Sequence, residues 1–90
     1  MQKFLIERDL PGVGLMTDSE FRQVARKSNN VLRDLGADIQ WIQSYVTGDK
    51  LYCVYLAEDA DLIREHARLG GFPCNRVSPI ASVIDPASAE

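Results

Sequence analysis

Residues 39–57, IQWIQSYVTGDKLYCVYLA, decide the fold, because they hold two runs of strand-type sequence joined by Gly48 and Asp49. Alternation with a period of two residues is typical of half-buried strands, and a two-residue connection containing glycine is typical of a tight hairpin. The sequence therefore predicts antiparallel strands over 39–47 and 50–57, with Thr47 opposite Lys50.

The predicted pairing divides the hairpin side chains between two faces, because successive residues of a strand point to opposite sides. One face carries Trp41, Gln43, Tyr45, Tyr52, Val54 and Leu56. The other face carries Ile42, Ser44, Val46, Leu51, Cys53 and Tyr55. Both sets are apolar enough to need a cover, so we expect helices on one face and a different partner on the other.

A helix is predicted on either side of this hairpin. Upstream, Thr17 and Glu20 form a capping-box pattern, and Gly36 ends the helix that follows. Downstream, a second helix is predicted from Asp59 or Asp61 to Leu69. The buried stripe of the first helix is expected to comprise Phe21, Val24, Ala25, Ser28, Leu32 and Leu35.

The outermost segments are predicted to be strands over 3–9 and 76–84. In the first, Phe4 and Ile6 alternate with Leu5 and Glu7. The second contains Pro79, which cannot donate to a ladder on both sides, so we expect this strand at a sheet edge or with a bulge. Residues 86–90 are expected to be a frayed tail, and residues 1–90 to form a single domain.

The resulting order, βαββαβ, predicts an α+β ferredoxin-like fold, with a four-stranded antiparallel sheet and both helices on one face. The opposite face then has no cover within the chain. A second copy packed sheet to sheet would cover it, so we expect a homodimer that forms a dimeric α/β barrel. The aromatic residues of that face would then either fill the interface or line a small cavity for a ligand.

Composition narrows the possible partners. The formal net charge is −3 and the basic residues are scattered, which argues against nucleic acid or an anionic membrane as the main partner. No signal peptide or membrane-spanning stretch is predicted. We therefore expect a cytoplasmic protein in which Cys53 and Cys74 are reduced thiols.

Two residues are candidates for site chemistry. His66, the only histidine, lies three residues after Ile63 and four after Leu62, so it leans toward the apolar side of its helix. It is either a hydrogen-bonded core residue or a ligand. Glu7 lies on a strand expected to be central, and its carboxylate is either paired, protonated or metal-bound inside the barrel, or solvated near the strand end.

Three segments of the chain resemble a bacterial family long catalogued as a domain of unknown function, whose members are now described as nickel-responsive or nickel-binding proteins. The segments are FLIERDLPG at 4–12, the hairpin at 41–57 and IREHARLGGFP at 63–73. The resemblance implies a ferredoxin-like fold, a dimeric α/β barrel and, in part of the family, nickel at the dimer interface.

The sequence as a whole favours a nickel-binding or metal-responsive homodimer. His66 and Glu7 are the predicted ligands of Ni²⁺ or another divalent first-row metal, because imidazole and carboxylate suit such ions. An enzyme is not expected, since no catalytic triad can be assembled from motifs. Two alternatives stay open: a small barrel enzyme resembling monooxygenases, and a purely structural or regulatory dimer.

Overall fold

The computed structural model describes residues 1–90 and contains four strands and two α-helices. In chain order these are β1 (Gln2–Asp9), α1 (Asp18–Leu35), β2 (Ile39–Val46), β3 (Lys50–Ala57), α2 (Ala60–Gly70) and β4 (Arg76–Pro79). Two 3₁₀ turns, Val13–Leu15 and Pro86–Ala89, complete the chain. The predicted βαββαβ order is confirmed.

The four strands form one antiparallel sheet in the order β2-β3-β1-β4. β1 pairs with β3 along its whole length, which places Ile6 opposite Cys53 and Glu7 opposite Tyr52. β4 lies at a sheet edge, as Pro79 predicted. The two central strands, β1 and β3, therefore present the largest areas of both sheet faces.

Both helices pack on the same face of the sheet, where the core lies. The buried core comprises Phe4, Ile6, Ile39, Cys53, Tyr55, Ala57 and Ile63. Leu32 and Leu35 from α1 and Leu62 from α2 pack against it. The opposite face, which we call the open face, receives no helix. This arrangement is the predicted ferredoxin-like fold.

The sequence signals at the helix ends behave as expected. The Thr17 hydroxyl accepts a hydrogen bond from the Glu20 backbone N–H at 3.2 Å, and the Glu20 carboxylate accepts one from the Thr17 N–H at 3.0 Å. α2 begins after Asp59, whose carboxylate accepts from the Leu62 N–H at 2.9 Å. Gly71 ends α2 in the left-handed conformation, with a φ of 68°.

The predicted faces of the hairpin are wrong at Trp41, because β2 contains a β-bulge. The predicted register holds from Val46 to Gln43, but Trp41 then pairs with Tyr55, and Ile42 is left as the extra residue. Because a bulge inserts one extra residue, the side chains beyond it lie on the opposite face from the one that uninterrupted alternation predicts. Trp41 therefore lies on the helix-covered side with Tyr55, and its indole N–H donates to the Ser44 hydroxyl at 3.0 Å.

The C-terminal segment also differs from its prediction. β4 ends at Pro79, five residues before the predicted end, and one further hydrogen bond joins the Ile80 N–H to the Lys3 carbonyl. The ladder between β4 and β1 thus ends at the pair of Pro79 and Phe4, two residues after the start of β1 at Gln2. The predicted frayed tail instead forms a 3₁₀ turn, in which the Asp85 N–H donates to the Ser88 hydroxyl at 3.0 Å.

Neither helix combines the length and the apolar character that crossing a membrane requires.

Candidate functional site

The open face carries most of the residues predicted to line an interface. They are Gln43 and Tyr45 from β2, and Tyr52, Val54 and Leu56 from β3; Leu5 and Glu7 from β1 join them. Tyr45 is 57% exposed, whereas the central residues Tyr52, Val54 and Leu56 are half-buried by their neighbours. The structure thus gathers five of the six predicted interface residues on one surface, and Trp41 is the exception.

Glu7 lies in the middle of this face. Its side chain is 27% exposed, and its carboxylate is 3.8 Å from Nε of Arg76 on β4. The side chain of Arg76 is mostly exposed, so this ion pair contributes at most about 1 kcal/mol. Of the alternatives considered for Glu7, the structure supports a partly buried carboxylate beside a cation on the open face.

His66 lies on the other side of the sheet and is completely buried. Its Nε2 is 3.1 Å from the Ser28 hydroxyl on α1, and its ring is 5.4 Å from the rings of Tyr55 and Phe72. Nδ1 has no hydrogen-bond partner. Burial, assisted by the nearby Arg8 guanidinium, lowers the pKa of His66 from 6.5 to about 4, so the ring is neutral at pH 7.

Ser28 and His66 lack the surrounding groups that would let them act as a hydrolytic serine–histidine pair. A histidine that accepts a serine proton becomes an imidazolium, which a serine hydrolase stabilises with a carboxylate on the other nitrogen. Nδ1 of His66 has no such partner, and the positive charge of Arg8 disfavours the imidazolium further. The sequence held a signal for this contact, since Ser28 and His66 both lie on the inward stripes of their helices.

Arg8 is the residue that the sequence analysis missed. It is 3% exposed, and its Nη1 donates to the Pro73 carbonyl at 2.6 Å. The guanidinium carbon is 5.7 Å from the centre of the Phe72 ring. Its position continues the alternation of Phe4 and Ile6, which was the available signal, but two charged neighbours made the segment resemble a solvated strand end.

Comparison with known proteins gives one family. Residues 4–80 match the family described as "Nickel responsive protein SCO4226-like". The chain belongs to the SCO4226-like family.

The solved structures contain a similar fold. The crystal structure of SCO4226 from Streptomyces coelicolor A3(2) matches this SCO4226-like chain with a TM-score of 0.76 and 13% sequence identity. The match covers 91% of this chain and 99% of that one. At this identity the likeness establishes a shared fold. No curated protein sequence matches the chain.

The family description raises the question of whether this SCO4226-like chain has ligands for nickel. His66 lies under the helices and Glu7 lies on the open face, so one chain does not bring the two predicted ligands together. No group of three or more histidine, cysteine or acidic side chains is placed to hold a metal ion. The side chains of a single chain therefore do not fit a nickel site.

Proposed function

We propose that this chain acts as a cytoplasmic, nickel-responsive homodimer assembled through the open face of its sheet. The family description supports the nickel response, and the two unpaired thiols, Cys53 and Cys74, suit a reducing compartment. The proposal of a dimer is based on the structure of the open face.

The observation that carries the dimer is an apolar sheet face without a cover. Leu5, Val54 and Leu56 lie there beside the rings of Tyr45 and Tyr52, while both helices lie on the opposite side. A contiguous apolar surface rimmed by polar residues marks an interaction site more often than a free surface. A second copy has the same shape and the same need for a cover, so two sheets packed face to face satisfy both.

Nickel binding, in this proposal, depends on the dimer. One chain lacks a ligand set, whereas a two-fold interface doubles the number of available side chains. Glu7 is the half-buried carboxylate on the face that the dimer would bury, which makes it the better supported of the two predicted ligands. His66, enclosed between helices and sheet, fits the role of a core residue.

Sedimentation velocity tests the dimer. We expect the parent protein to sediment as a dimer at micromolar concentration, and Tyr52→Glu to sediment as a monomer, because it places a charge in a dry interface. Leu69→Glu is the matched control: Leu69 is exposed on α2, away from the open face, so this variant should remain dimeric. A folded monomer in the parent, or a stable Tyr52→Glu dimer, contradicts the proposal.

Calorimetric titration with Ni²⁺ tests the metal response on protein made without a histidine tag. Binding should be lost in the monomeric Tyr52→Glu variant and weakened in Glu7→Gln, while Asp61→Asn on the exposed face of α2 should bind as the parent does. Undiminished binding to the monomeric variant would show that one chain suffices. Absence of binding in the parent would leave the dimer without a nickel role.

A further inference from the structure

A cavity of about 460 Å³ lies between α1 and the helix-covered face of the sheet. Phe21, Val24 and Ala25 line it from α1, and Trp41 and Tyr55 line it from the sheet. Its presence explains why the apolar stripe of α1 is only half-buried, with Ser28 as the one fully buried residue of that helix. The volume is within the range of about 300–1,000 Å³ that is usual for small-molecule sites.

Arg8 places a positive charge in the wall of this cavity. An arginine remains protonated under all ordinary conditions, so its charge cannot be removed by a proton shift. Nη1 has the Pro73 carbonyl as its acceptor, whereas Nη2 is buried and makes no hydrogen bond, and the Tyr55 hydroxyl is the polar neighbour of the guanidinium in the cavity wall. A buried cation with an unused donor is unfavourable unless an anion or a strong acceptor reaches it.

The chain itself supplies no such anion. None of the residues that line the cavity is an aspartate or a glutamate, and the second cation in its wall is Lys27. Arg8 and Lys27 both lie near the Phe72 ring, with distances of 5.7 and 5.6 Å from its centre. Most of the remaining wall is aliphatic or aromatic. The cavity thus combines apolar walls with a net positive charge.

We propose that this cavity binds a small organic carboxylate with an apolar body, whose carboxylate pairs with the guanidinium of Arg8. The apolar body would lie against Phe21, Val24 and Trp41, from which it displaces water. A guanidinium that already has one donor fixed by a carbonyl is well oriented for such an anion. This site lies on the opposite side of the sheet from the proposed dimer face and does not depend on it.

Fluorescence of Trp41 is a direct measurement, because it is the only tryptophan in the chain and it lines the cavity. The probes are 3-phenylpropionate and its neutral counterpart 3-phenylpropanamide, which differ in charge at nearly the same shape. We expect the carboxylate to change the Trp41 emission saturably and to raise the Tm. The amide should bind about tenfold more weakly or worse, because it loses the charge-assisted hydrogen bond.

Variants locate the binding. Arg8→Met keeps an unbranched side chain without the charge, and should reduce carboxylate affinity to that of the amide. Arg76→Met removes an exposed arginine from the open face and should bind as the parent does. Ala25→Phe fills the cavity from α1 while retaining Arg8, and should abolish binding of both probes even if Arg8→Met does not fold.

Three results would overturn the proposal. The first is equal affinity for the carboxylate and the amide, which would remove the role of the charge. The second is an equal rise in Tm with inorganic phosphate at the same concentration, which would mean that the apolar walls take no part. The third is the absence of any Trp41 response to the carboxylate at millimolar concentration.

Discussion

Arg8 and His66 share one side of the sheet, and together they show how burial distributes charge among neighbouring residues. Burial and the positive charge of the Arg8 guanidinium lower the pKa of His66 to about 4, so the imidazole is neutral at pH 7. The interior therefore carries one fixed positive charge, on Arg8, and a neutral imidazole beside it.

The depressed pKa of His66 predicts an acid-sensitive fold. Between pH 6.5 and about 4 the unfolded chain binds a proton at His66 that the folded chain excludes, so the free energy of unfolding falls as the pH falls. This one group contributes a loss of at most about 1.4 kcal/mol per pH unit. Urea unfolding at several pH values in this window measures it.

His66→Gln serves as the comparison, because glutamine does not titrate and can still reach the Ser28 hydroxyl. The variant should lose less stability than the parent on acidification, although acidic residues titrate in both proteins. Parallel pH curves for parent and variant would show that the pKa of His66 is near its ordinary value.

Among the elements, the loop between β1 and α1 packs closely against the turn between β2 and β3. The Gly14 N–H donates to the Gly48 carbonyl at 3.0 Å, and the Gly12 N–H donates to the Asp49 carboxylate at 3.0 Å. A Cβ atom on Gly14 would lie 2.8 Å from the Thr47 carbonyl oxygen and 2.9 Å from the Gly48 Cα. Glycine is thus required where this loop packs against the hairpin turn.

Gly14→Ala should accordingly lower the free energy of unfolding by about 1–3 kcal/mol, the usual cost of overpacking against backbone atoms. Gly48→Ala is a control from the opposite side of the same contact. A Cβ on Gly48 meets nothing within 4 Å and its φ is not positive, so stability should be unchanged or raised by up to about 1 kcal/mol. Equal stability of the two variants would contradict the close approach.

The elements show which features the sequence could predict. Alternation, capping and terminal glycines are local signals, and they predicted all six main elements and the ends of α1, while Pro79 predicted an edge position or a bulge for β4. The sequence around Ile42 contains no local signal for the bulge, because it has the pattern of one uninterrupted strand. The end of β4 depends on which of its residues pair with β1, which is a property of the pairing and not of the sequence of β4 alone.

The residues of the candidate sites likewise divide into those that local sequence signals predict and those that depend on distant partners. The β3 residues Tyr52, Val54 and Leu56 were assigned to one face by period alone, and the structure places Glu7, whose position the sequence left open, on the same face. The burial of Arg8 depends on the Pro73 carbonyl, which lies 65 residues away along the chain. No short-range pattern contains that partner, so the sequence could not distinguish a buried arginine from a solvated one.

For the whole molecule, the main limitation on stability is the small core. Thirteen of 90 residues are buried, and the cavity under α1 reduces the packing further. Domains of this size bury a modest share of their surface, and association commonly supplies what the core lacks. The proposed dimer would therefore add to the stability of each folded chain.

Coupled folding and assembly predict that the Tm depends on protein concentration. A hundredfold rise in concentration should stabilise the folded dimer by about 2.7 kcal/mol, by mass action. Scanning calorimetry of the parent over such a range should show a rising Tm, whereas Tyr52→Glu, if folded, should show a constant one. A constant Tm in the parent would mean that folding is complete within one chain.

The extra residue in β2 has a consequence for insertions and deletions. Trp41 pairs with Tyr55 and Gln43 pairs with Val54, so the two flanking residues already occupy consecutive positions of the ladder, and Ile42 is 50% exposed between them. Deletion of Ile42 would therefore leave a regular strand in which all the remaining side chains keep their present faces. Shortening β3 by one residue, in contrast, would exchange its core and surface side chains. The hairpin thus has one position where length can vary without a change in facing, and it lies in the edge strand.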